Sequence, residues 1–405
     1  MSRTICLYLH VHQPYRVRDY TIFDAGVDSN YWLSDGLASN KYIIRKVAEK
    51  SYRPTNALLK DLLMHYKNFS LSLSITGTLL EQLEQWAPDV IDDFKTLVAT
   101  GRVEILAETF YHSLAFFYSP AEFARQVDMH TQKIQDVFGV TPKVLRNTEL
   151  AYNDELAQWA DHAGFKGIIT EGWPAILDWR SPNFMYRPTN TQNIRLLLKN
   201  FKLSDDIAFR FGDRNWREWP LTTEKFSHWI NSLPPDQQLI NLFMDYETFG
   251  EHQWEDSGIF GFLRQLPAEF LKLPDNNFMT LSQAIDAYQP ADSLHCPRTI
   301  TWADSERDLT AWLGNGMQTE TIKQIYEIEQ QILATNDQRL IEDWRRLQTS
   351  DHFYYMCTKW FNDGDVHAYF SPYGSPYDAF MYYSNALKDL QLRLARKRQG
   401  VEDLA

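Results

Sequence analysis

The chain has 405 residues, a formal net charge of −13 and an aromatic content of 14%. Its length exceeds the size at which one hydrophobic core usually stops growing, so we expect one large domain and a smaller part. Nucleic acids and anionic membranes are polyanions, and the acidic balance therefore argues against both as partners. The many aromatic rings serve a large core, sugar binding, or both, because flat rings stack on the C–H faces of pyranoses.

The three cysteines, Cys6, Cys296 and Cys357, show no CxxC or other paired spacing. This spacing argues against a disulfide framework and against a thiolate metal site. The N-terminus runs directly into an apolar strand without the h-region of a signal peptide. No apolar run approaches the ~20 residues of a membrane span. We therefore expect a cytoplasmic protein, and no feature specifies its oligomeric state.

Seven apolar or alternating segments predict β-strands, and helical patterns separate most of them. The predicted strands are residues 5–9, 69–75, 103–106, 143–147, 167–170, 194–199 and 238–244. The helical patterns between them are residues 40–49, 55–66, 79–86, 88–100, 119–138 and 154–163. Regular alternation indicates parallel strands with right-handed crossovers. Seven strands rather than eight predict an incomplete (β/α)7 barrel, and a doubly wound open sheet is the alternative.

Beyond about residue 289 the pattern changes, and long helical segments dominate at 319–335, 338–348 and 377–398. We therefore predict a catalytic (β/α)7-type barrel over residues 1–288. A helical C-terminal region over residues 289–405 is predicted to pack on this barrel and to contribute to the active-site cleft.

Ionisable side chains follow two of the predicted strands at the point where each strand ends. The last predicted strand runs into Asp245, Glu247, Glu251 and His252, and Glu149 follows the fourth strand in the same way. Barrels of alternating strands and helices present their catalytic groups at the carboxyl ends of the strands. We therefore expect Glu149 and Asp245 to meet in space, although each alone is also compatible with a structural ion pair.

Further polar candidates lie on the first and third strands. His10 and His12 share one side of their strand, because alternate residues do so. Three roles are open for the two histidines: zinc ligands, groups that bind a substrate hydroxyl, or ordinary polar residues. No HExxH zinc-binding motif accompanies them in the sequence. Glu104 is a functional carboxylate or a buried residue paired with Arg102 or Arg146.

Two carboxylates on different strands supply the chemistry that cleaves a glycosidic bond. One protonates the leaving oxygen, and the other attacks or shields the oxocarbenium-like carbon. The two groups need different pKa values, and Tyr152, Tyr246 and Trp254 can provide surroundings of low polarity. The neighbouring Asp205 and Asp206 are a helix cap or a further catalytic group.

The same residues resemble the motifs of glycoside hydrolase family 57, which contains α-amylases, 4-α-glucanotransferases and branching enzymes. The resemblance extends from the first strand to about residue 318. It rests on residues 10–14, 101–105, 148–152, 245–252 and 302–304, together with Trp312 and Asn315. One departure is Arg102, where glutamine is more usual in the family.

The resemblance implies a (β/α)7 barrel that acts on α-1,4-glucans, most like the α-amylase branch, with no cofactor and no metal in the chemical step. Glu149 would be the nucleophile and Asp245 the acid/base of a retaining double displacement. The residues implied to bind the α-glucan or maltooligosaccharide are His10, His12, Glu104, His252, Trp302, Asp304 and Trp312.

Three other functions remain as alternatives. A 4-α-glucanotransferase would use the same residues with an acceptor sugar in place of water. A metal-dependent enzyme similar to polysaccharide deacetylases would need a His/His/Asp ligand set. A glucan-binding protein without turnover would not need both carboxylates.

Overall fold

Ten β-strands are present in residues 2–359 and 366–400, the part of the chain that the computed structural model describes. They are β1 (Thr4–Val11), β2 (Leu71–Ile75), β3 (Val103–Ile105), β4 (Val144–Arg146), β5 (Gly167–Glu171), β6 (Met185–Pro188), β7 (Arg195–Lys199), β8 (Leu239–Asp245), β9 (Asn277–Phe278) and β10 (Asp292–Leu294). The seven predicted strands correspond to β1–β5, β7 and β8. The three additional strands have only two to four residues and, unlike the equally short β3 and β4, do not lie between two predicted helices.

The strands form two sheets, in the orders β3-β2-β1-β8 and β10-β6-β7-β5-β4, and β9 pairs with β1. Every pair is parallel except β6 with β7. A parallel bridge between Ala107 and Leu145 joins the β3 and β4 edges. On the other side of the barrel, the Asn241 side chain of the edge strand β8 donates to the Leu198 carbonyl of β7, an inner strand of its sheet, over 2.9 Å. No continuous ladder therefore closes the circle among the described strands, which confirms the predicted incomplete barrel.

Contacts between Cα atoms divide the chain into two units. The barrel unit comprises Met1–His12, Ile44–Glu108 and His130–Trp302. The helical unit comprises Gln13–Ile43, Thr109–Met129 and Ala303–Ala405. These units differ from the predicted boundary after residue 288, because two internal segments group with the C-terminal helices. A contribution of the C-terminal region to the cleft stays a prediction.

The α-helices follow the alternation that the sequence predicts. In chain order they are α1 (Asn40–Val47), α2 (Arg53–His65), α3 (Gly77–Trp86), α4 (Pro88–Val98), α5 (Pro120–Phe138), α6 (Asp154–His162), α7 (Pro174–Leu177), α8 (Phe201–Ala208), α9 (Thr223–Asn231), α10 (Ile259–Phe270), α11 (Leu281–Ala287), α12 (Thr310–Leu313), α13 (Gly316–Glu327), α14 (Glu329–Ala334), α15 (Gln338–Arg346), α16 (Ser350–Tyr354), α17 (Val366–Phe370) and α18 (Pro376–Arg398). Short 3₁₀ turns occur at Ala115–Phe117, Thr148–Leu150, Tyr246–Thr248 and Glu255–Ser257, and a π-helix occurs at Ala48–Tyr52. None of the helices in the described residues combines the length and apolar character needed to cross a bilayer.

The barrel interior is mainly apolar, and a layer of polar side chains lies at the carboxyl ends of its strands. Every residue of β1 is buried, and alternation places Cys6, Tyr8 and His10 on one face of the strand. Tyr8 packs edge-on against Phe243, with ring centroids 5.5 Å apart. In the ladder, His10 is the partner of Asp245. The polar layer at the carboxyl end of the barrel therefore contains the end of β1 and the end of β8.

Buried polar contacts also fasten the helical unit internally. Arg393 of α18 donates to the Asp343 carboxylate of α15 over 2.8 Å, and the Trp32 indole donates to the same carboxylate over 2.9 Å. Both members of the ion pair are almost fully buried. Loss of either partner would leave an uncompensated charge, which is strongly destabilising.

Candidate active site

His10 lies at the centre of the polar layer and is only 3% exposed. Its Nε2 atom is 3.3 Å from Glu108 Oε2, and its Nδ1 atom is 3.6 Å from Asp245 Oδ1. Arg146 Nη2, at the end of β4, is 3.3 Å from the same Nδ1 atom. His10 therefore connects the ends of three different strands of the barrel.

Glu108 and Arg146 are fully buried beneath His10. Their closest atoms, Glu108 Oε2 and Arg146 Nη1, are 3.4 Å apart, so each charge has the opposite partner that burial demands. The Glu108 backbone N–H points to His130 Nδ1 over 3.3 Å, while His130 Nε2 faces the Ile75 carbonyl over 2.9 Å. Burial lowers the pKa of His130, against the opposing effect of Glu108, and a neutral imidazole with its proton on Nε2 fits both contacts.

Glu149 occupies the 3₁₀ turn Thr148–Leu150 that follows β4. Its φ angle is 58° and that of Leu150 is 53°, both in the left-handed region that non-glycine residues rarely adopt. Such conformations cost about 1–3 kcal/mol each and cluster at functional sites. The surrounding contacts hold this one: the Trp302 indole donates to Glu149 Oε2 over 2.7 Å, and the Trp302 backbone N–H donates to the Glu149 carbonyl over 3.2 Å.

The Trp302 ring lies between Glu149, His10, and the side chains of Arg146 and Lys199. Its ring centroid is 5.3 Å from Lys199 Nζ and 5.5 Å from Arg146 Cζ, both within the range of cation–π attraction. The His10 ring meets the Trp302 ring edge-on at 6.4 Å. Glu149 contacts Trp302 and Asp245 contacts His10, so the two carboxylates border the same His10–Trp302 pair. Their direct approach to each other stays a prediction.

Asp245 is partly open to solvent, with 36% of its side chain exposed. Burial of the carboxyl raises its pKa, but the His10 imidazole 3.6 Å away and the positive charges of His252 and Arg146 outweigh burial. The pKa of Asp245 is consequently below its usual value. In the unliganded protein this group is a carboxylate at neutral pH.

Glu247, two residues further on, behaves in the opposite way. Burial, together with the nearby charge of Asp245, raises its pKa to about 8. The Tyr52 hydroxyl donates to Glu247 Oε1 over 2.5 Å, and the His12 backbone N–H donates to it over 3.3 Å. Tyr52 ends the π-helix Ala48–Tyr52, an element that is frequent at functional sites. The site therefore holds one charged and one neutral carboxyl group side by side at pH 7.

A buried cation supports Trp302 from the β5 and β7 side of the barrel. Lys199 Nζ is 2.9 Å from Asp205 Oδ1 and 3.6 Å from Glu171 Oε2. Lys199 and Glu171 are the last residues of their strands. Sequence reasoning did not single out either residue, although their strand-end positions were the available signal.

The other predicted residues of the barrel unit lie in different surroundings. His12 stacks on His10 with ring centroids 5.6 Å apart, and its Nδ1 atom is 2.9 Å from Thr76 Oγ1. Burial lowers the pKa of His252, although Asp245 and Glu251 act in the opposite direction. Tyr152 and Tyr246, two of the predicted low-polarity neighbours, are fully buried, whereas Trp254 is 59% exposed.

Glu104 sits deeper in the barrel than His10. Its carboxylate accepts hydrogen bonds from the Ser72 hydroxyl over 3.2 Å and the Ser282 backbone N–H over 2.9 Å. The ladder places Glu104 beside Ser72 and Ser72 beside Tyr8, two positions below His10. The carboxylate that contacts His10 is Glu108, and substrate binding by Glu104 stays a prediction.

Asp304 and Trp312 belong to the helical unit. Asp304 Oδ1 is 3.1 Å from His367 Nε2, and Lys359 Nζ is 3.4 Å from Asp304 Oδ2. Burial opposes the charge on Asp304, but these two cations lower its pKa overall. Trp312 is 1% exposed, and its ring lies 5.8 Å from that of Tyr354.

The positive charge of Arg146 beside His10 bears on whether His10 could be a zinc ligand, one of the alternatives that the sequence leaves open. A zinc-bound histidine offers a neutral nitrogen to the cation. Here the Arg146 guanidinium already lies 3.3 Å from Nδ1, and a permanent positive charge at that distance opposes a second cation. The geometry favours binding of hydroxyl groups or stabilisation of Asp245 over metal binding at this nitrogen.

Comparison with known sequences gives a family match and a relative that spans most of the chain. The model of the family described as "Glycosyl hydrolase family 57" matches residues 6–297. The chain is 40% identical over 404 residues to a protein of Methanocaldococcus jannaschii named "Putative alpha-amylase", which covers 96% of this chain and 84% of that protein.

Two solved structures have a similar fold. A GH57-type branching enzyme of Pyrococcus horikoshii superposes with a TM-score of 0.71 at 16% identity, covering 99% of this chain and 92% of that one. The 4-alpha-glucanotransferase of Thermococcus litoralis superposes with a TM-score of 0.65 at 16% identity. That match covers 87% of this chain but only 56% of the glucanotransferase.

Proposed function

Because the chain belongs to glycosyl hydrolase family 57, we propose that it hydrolyses α-1,4-glucosidic bonds of α-glucans by a retaining double displacement. Glu149 is the nucleophile and Asp245 the acid/base. One observation carries the proposal: the two carboxylates, from different strands, border the same His10–Trp302 pair. Retaining glycosidases need such a pair about 5–5.5 Å apart.

In the first step a Glu149 oxygen bonds to the anomeric carbon, and the bond from that carbon to the leaving oxygen breaks. Asp245 gives its proton to the leaving oxygen, which departs as the hydroxyl of the released glucan. The Trp302 indole, which donates to Glu149 Oε2, keeps the nucleophile in one orientation. Fixed orientation of this kind lowers the barrier because little freedom remains to be lost.

In the second step Asp245 takes a proton from water, and the water oxygen bonds to the anomeric carbon as the Glu149 ester breaks. Asp245 is a carboxylate at this stage because it gave up its proton in the first step, and its lowered pKa keeps it ionised. For the acid role Asp245 must first gain a proton. A bound glucan favours that protonation because it removes water from around the carboxylate.

The proposal is tested by the stereochemistry and by two variants. Proton NMR of the first-formed product from maltoheptaose should show the α-anomer, and a β-anomer would overturn the retaining mechanism. Glu149→Gln should abolish turnover of every α-glucoside. Asp245→Asn should still react with an α-glucoside that has a good leaving group, since acid help worth about 10²–10⁴-fold is then partly dispensable.

Added azide makes the assignment of the two roles sharper. Azide needs no base, so it should rescue Asp245→Asn and give an α-glucosyl azide. Rescue of Glu149→Ala should instead give the β-azide, because attack then comes from the face that the nucleophile vacated. An α-azide from the Glu149 variant, with none from the Asp245 variant, would reverse the assignment.

The second candidate is a 4-α-glucanotransferase, in which the hydroxyl of an acceptor sugar replaces water in the second step. The structural similarity to the glucanotransferase of Thermococcus litoralis supports this second candidate. Products resolved from maltoheptaose decide between the two: chains longer than seven glucose units indicate transfer, and only shorter chains indicate hydrolysis.

A further inference from the structure

A groove of about 840 Å³ lies in the barrel unit beside the loop that follows Asp245. Its walls include Lys50 of the π-helix, Phe260 and Arg264 of α10, and Trp254, Glu255 and Asp256 of the loop. We call it the Trp254 groove. Its volume is within the range of about 300–1,000 Å³ typical of small-molecule sites, and the catalytic mechanism above does not use it.

Trp254 is the main feature of this groove. The side chain is 59% exposed, although a large aromatic ring gains much from burial. Lys50 Nζ is 5.1 Å from the ring centroid and 3.8 Å from Glu251 Oε2. The lysine therefore makes a cation–π contact with the indole, and its ion pair with Glu251 keeps the lysine in position. The groove therefore presents a flat apolar surface in a fixed orientation.

The charges around the ring select the class of ligand. Glu255 and Asp256 are acidic, whereas Lys50 and Arg264 are basic. This mixture repels a polyanion as much as it attracts one. A neutral polyhydroxylated chain suits it better, because carboxylates accept from hydroxyl groups and the cations donate to them. A pyranose can place its C–H face on the indole at the same time.

The groove is preformed and lies close to the catalytic loop. Gly250 has a φ of +105°, and a Cβ atom there would come within 1.9 Å of the Lys50 carbonyl oxygen. Only glycine therefore lets the loop pack this tightly on the π-helix. Trp254 comes nine positions after Asp245, so the groove lies within about 30 Å of the proposed acid/base, the reach of a fully extended segment of that length.

We propose that the Trp254 groove is a second binding site for α-glucan chains, with Trp254 as the stacking platform. The proposal rests on the proposed function, because it takes its ligand class from it. A chain held in the groove remains near the catalytic carboxylates, which raises its effective concentration there. Long glucans gain from the site and short maltooligosaccharides do not.

The test compares Trp254→Ala with a matched control, Trp179→Ala. Trp179 is also an exposed tryptophan of the barrel unit, 80% exposed, with Arg180 Cζ 5.2 Å from its ring centroid. It does not line the groove. Both substitutions are made in the full chain carrying Glu149→Gln, so that amylose binds without being cleaved, and again in the active protein.

In the Glu149→Gln background, Trp254→Ala should weaken binding of amylose about tenfold, the effect of removing one aromatic anchor. Trp179→Ala should leave the Kd unchanged. In the active protein, Trp254→Ala should lower kcat/KM for amylose far more than kcat/KM for maltotetraose. Equal melting temperatures of the two variants exclude unfolding as the cause.

Several results would overturn the inference while leaving the proposed function intact. These are unchanged amylose binding by Trp254→Ala, an equal loss in Trp179→Ala, and a loss that is the same for amylose and maltotetraose. A change from dimer to monomer in Trp254→Ala would show that a second copy of the chain fills the groove instead. Failure of the proposed function has a different signature, namely no turnover of any α-glucan by the unaltered protein.

Discussion

The indole nitrogen of Trp302 lies 2.7 Å from Glu149 Oε2, and the backbone of Trp302 also donates to the backbone of Glu149. One residue thus fixes both the carboxylate and the unusual turn that carries it. Trp302 ends the barrel unit, 153 residues after its partner. The proposed nucleophile therefore depends on a residue that sequence distance gives no reason to place beside it.

Trp302→Phe should lower kcat about 10- to 100-fold, because the N–H donor to Glu149 is lost while a smaller aromatic ring still fills part of the site. Trp344→Phe is the matched control, since the Trp344 indole also donates over 2.7 Å, but to the Ile325 carbonyl. It should reduce stability and leave kcat intact. Full kcat in Trp302→Phe would show that the indole does not orient Glu149.

Glu247 gives the stability of the protein a pH dependence. Its pKa is about 8 in the folded chain, against a usual 4.5, so between these values the folded state keeps a proton that the unfolded state releases. Stability therefore falls as pH rises from about 4.5 to about 8, by about 1.4 kcal/mol per pH unit from this group alone. Urea unfolding from pH 5 to pH 7.5 should show this contribution as a difference: the stability of the unaltered protein minus that of Glu247→Gln should fall with this slope, because the other titrating groups are common to both proteins. Identical slopes in the two proteins would mean that Glu247 ionises alike in both states.

Lys199→Met should destabilise the fold by about 3–5 kcal/mol, because it leaves the buried Glu171 and Asp205 carboxylates without their cation. Adding Asp205→Asn should recover part of that loss. Lys166→Met is the control: Lys166 is 44% exposed in its ion pair with Asp286, and surface pairs contribute only about 0–1 kcal/mol. Denaturant unfolding measures all three, and equal losses in the two single variants would contradict the argument.

Exhaustive chelation followed by dialysis should leave activity on starch unchanged, because Arg146 places a permanent positive charge beside His10. Activity is compared before chelation, after it, and after zinc is added back. Loss that zinc restores would move the assignment towards metal-dependent hydrolysis.

The sequence predicts the barrel well because each of its seven strands carries an unbroken apolar run or a clean alternation. β1 and β8 also place His10 and Asp245 at matching ends, which the strand-end rule anticipates. The short strands β6, β9 and β10 escape prediction because, unlike the equally short β3 and β4, they do not lie between two predicted helices. Segments 13–43 and 109–129 group with the C-terminal helices, and no local pattern reveals such long-range grouping.

Charged residues were harder to place than apolar ones. Glu104 and Glu108 are four residues apart, yet Glu108 contacts His10 and Glu104 turns to Ser282. Arg146 is paired inside the core with Glu108, 38 residues away, and Lys199 with Glu171 of another strand and with the nearby Asp205. A charged residue that is paired inside the core and one that is exposed on the surface look identical in the sequence. The spacing of apolar residues therefore cannot distinguish the two.

The left-handed backbone conformation at Glu149 means that substitutions which stabilise the protein at this position would remove the proposed catalytic group. With φ 58° and ψ 27°, the position suits glycine or asparagine better than glutamate. A library screened only for survival at high temperature will therefore enrich Glu149→Gly or Glu149→Asn, which relieve the strain and discard the proposed nucleophile. Stabilisation of this enzyme by directed evolution thus needs a glucan-cleavage screen in every round, or residue 149 held constant from the start.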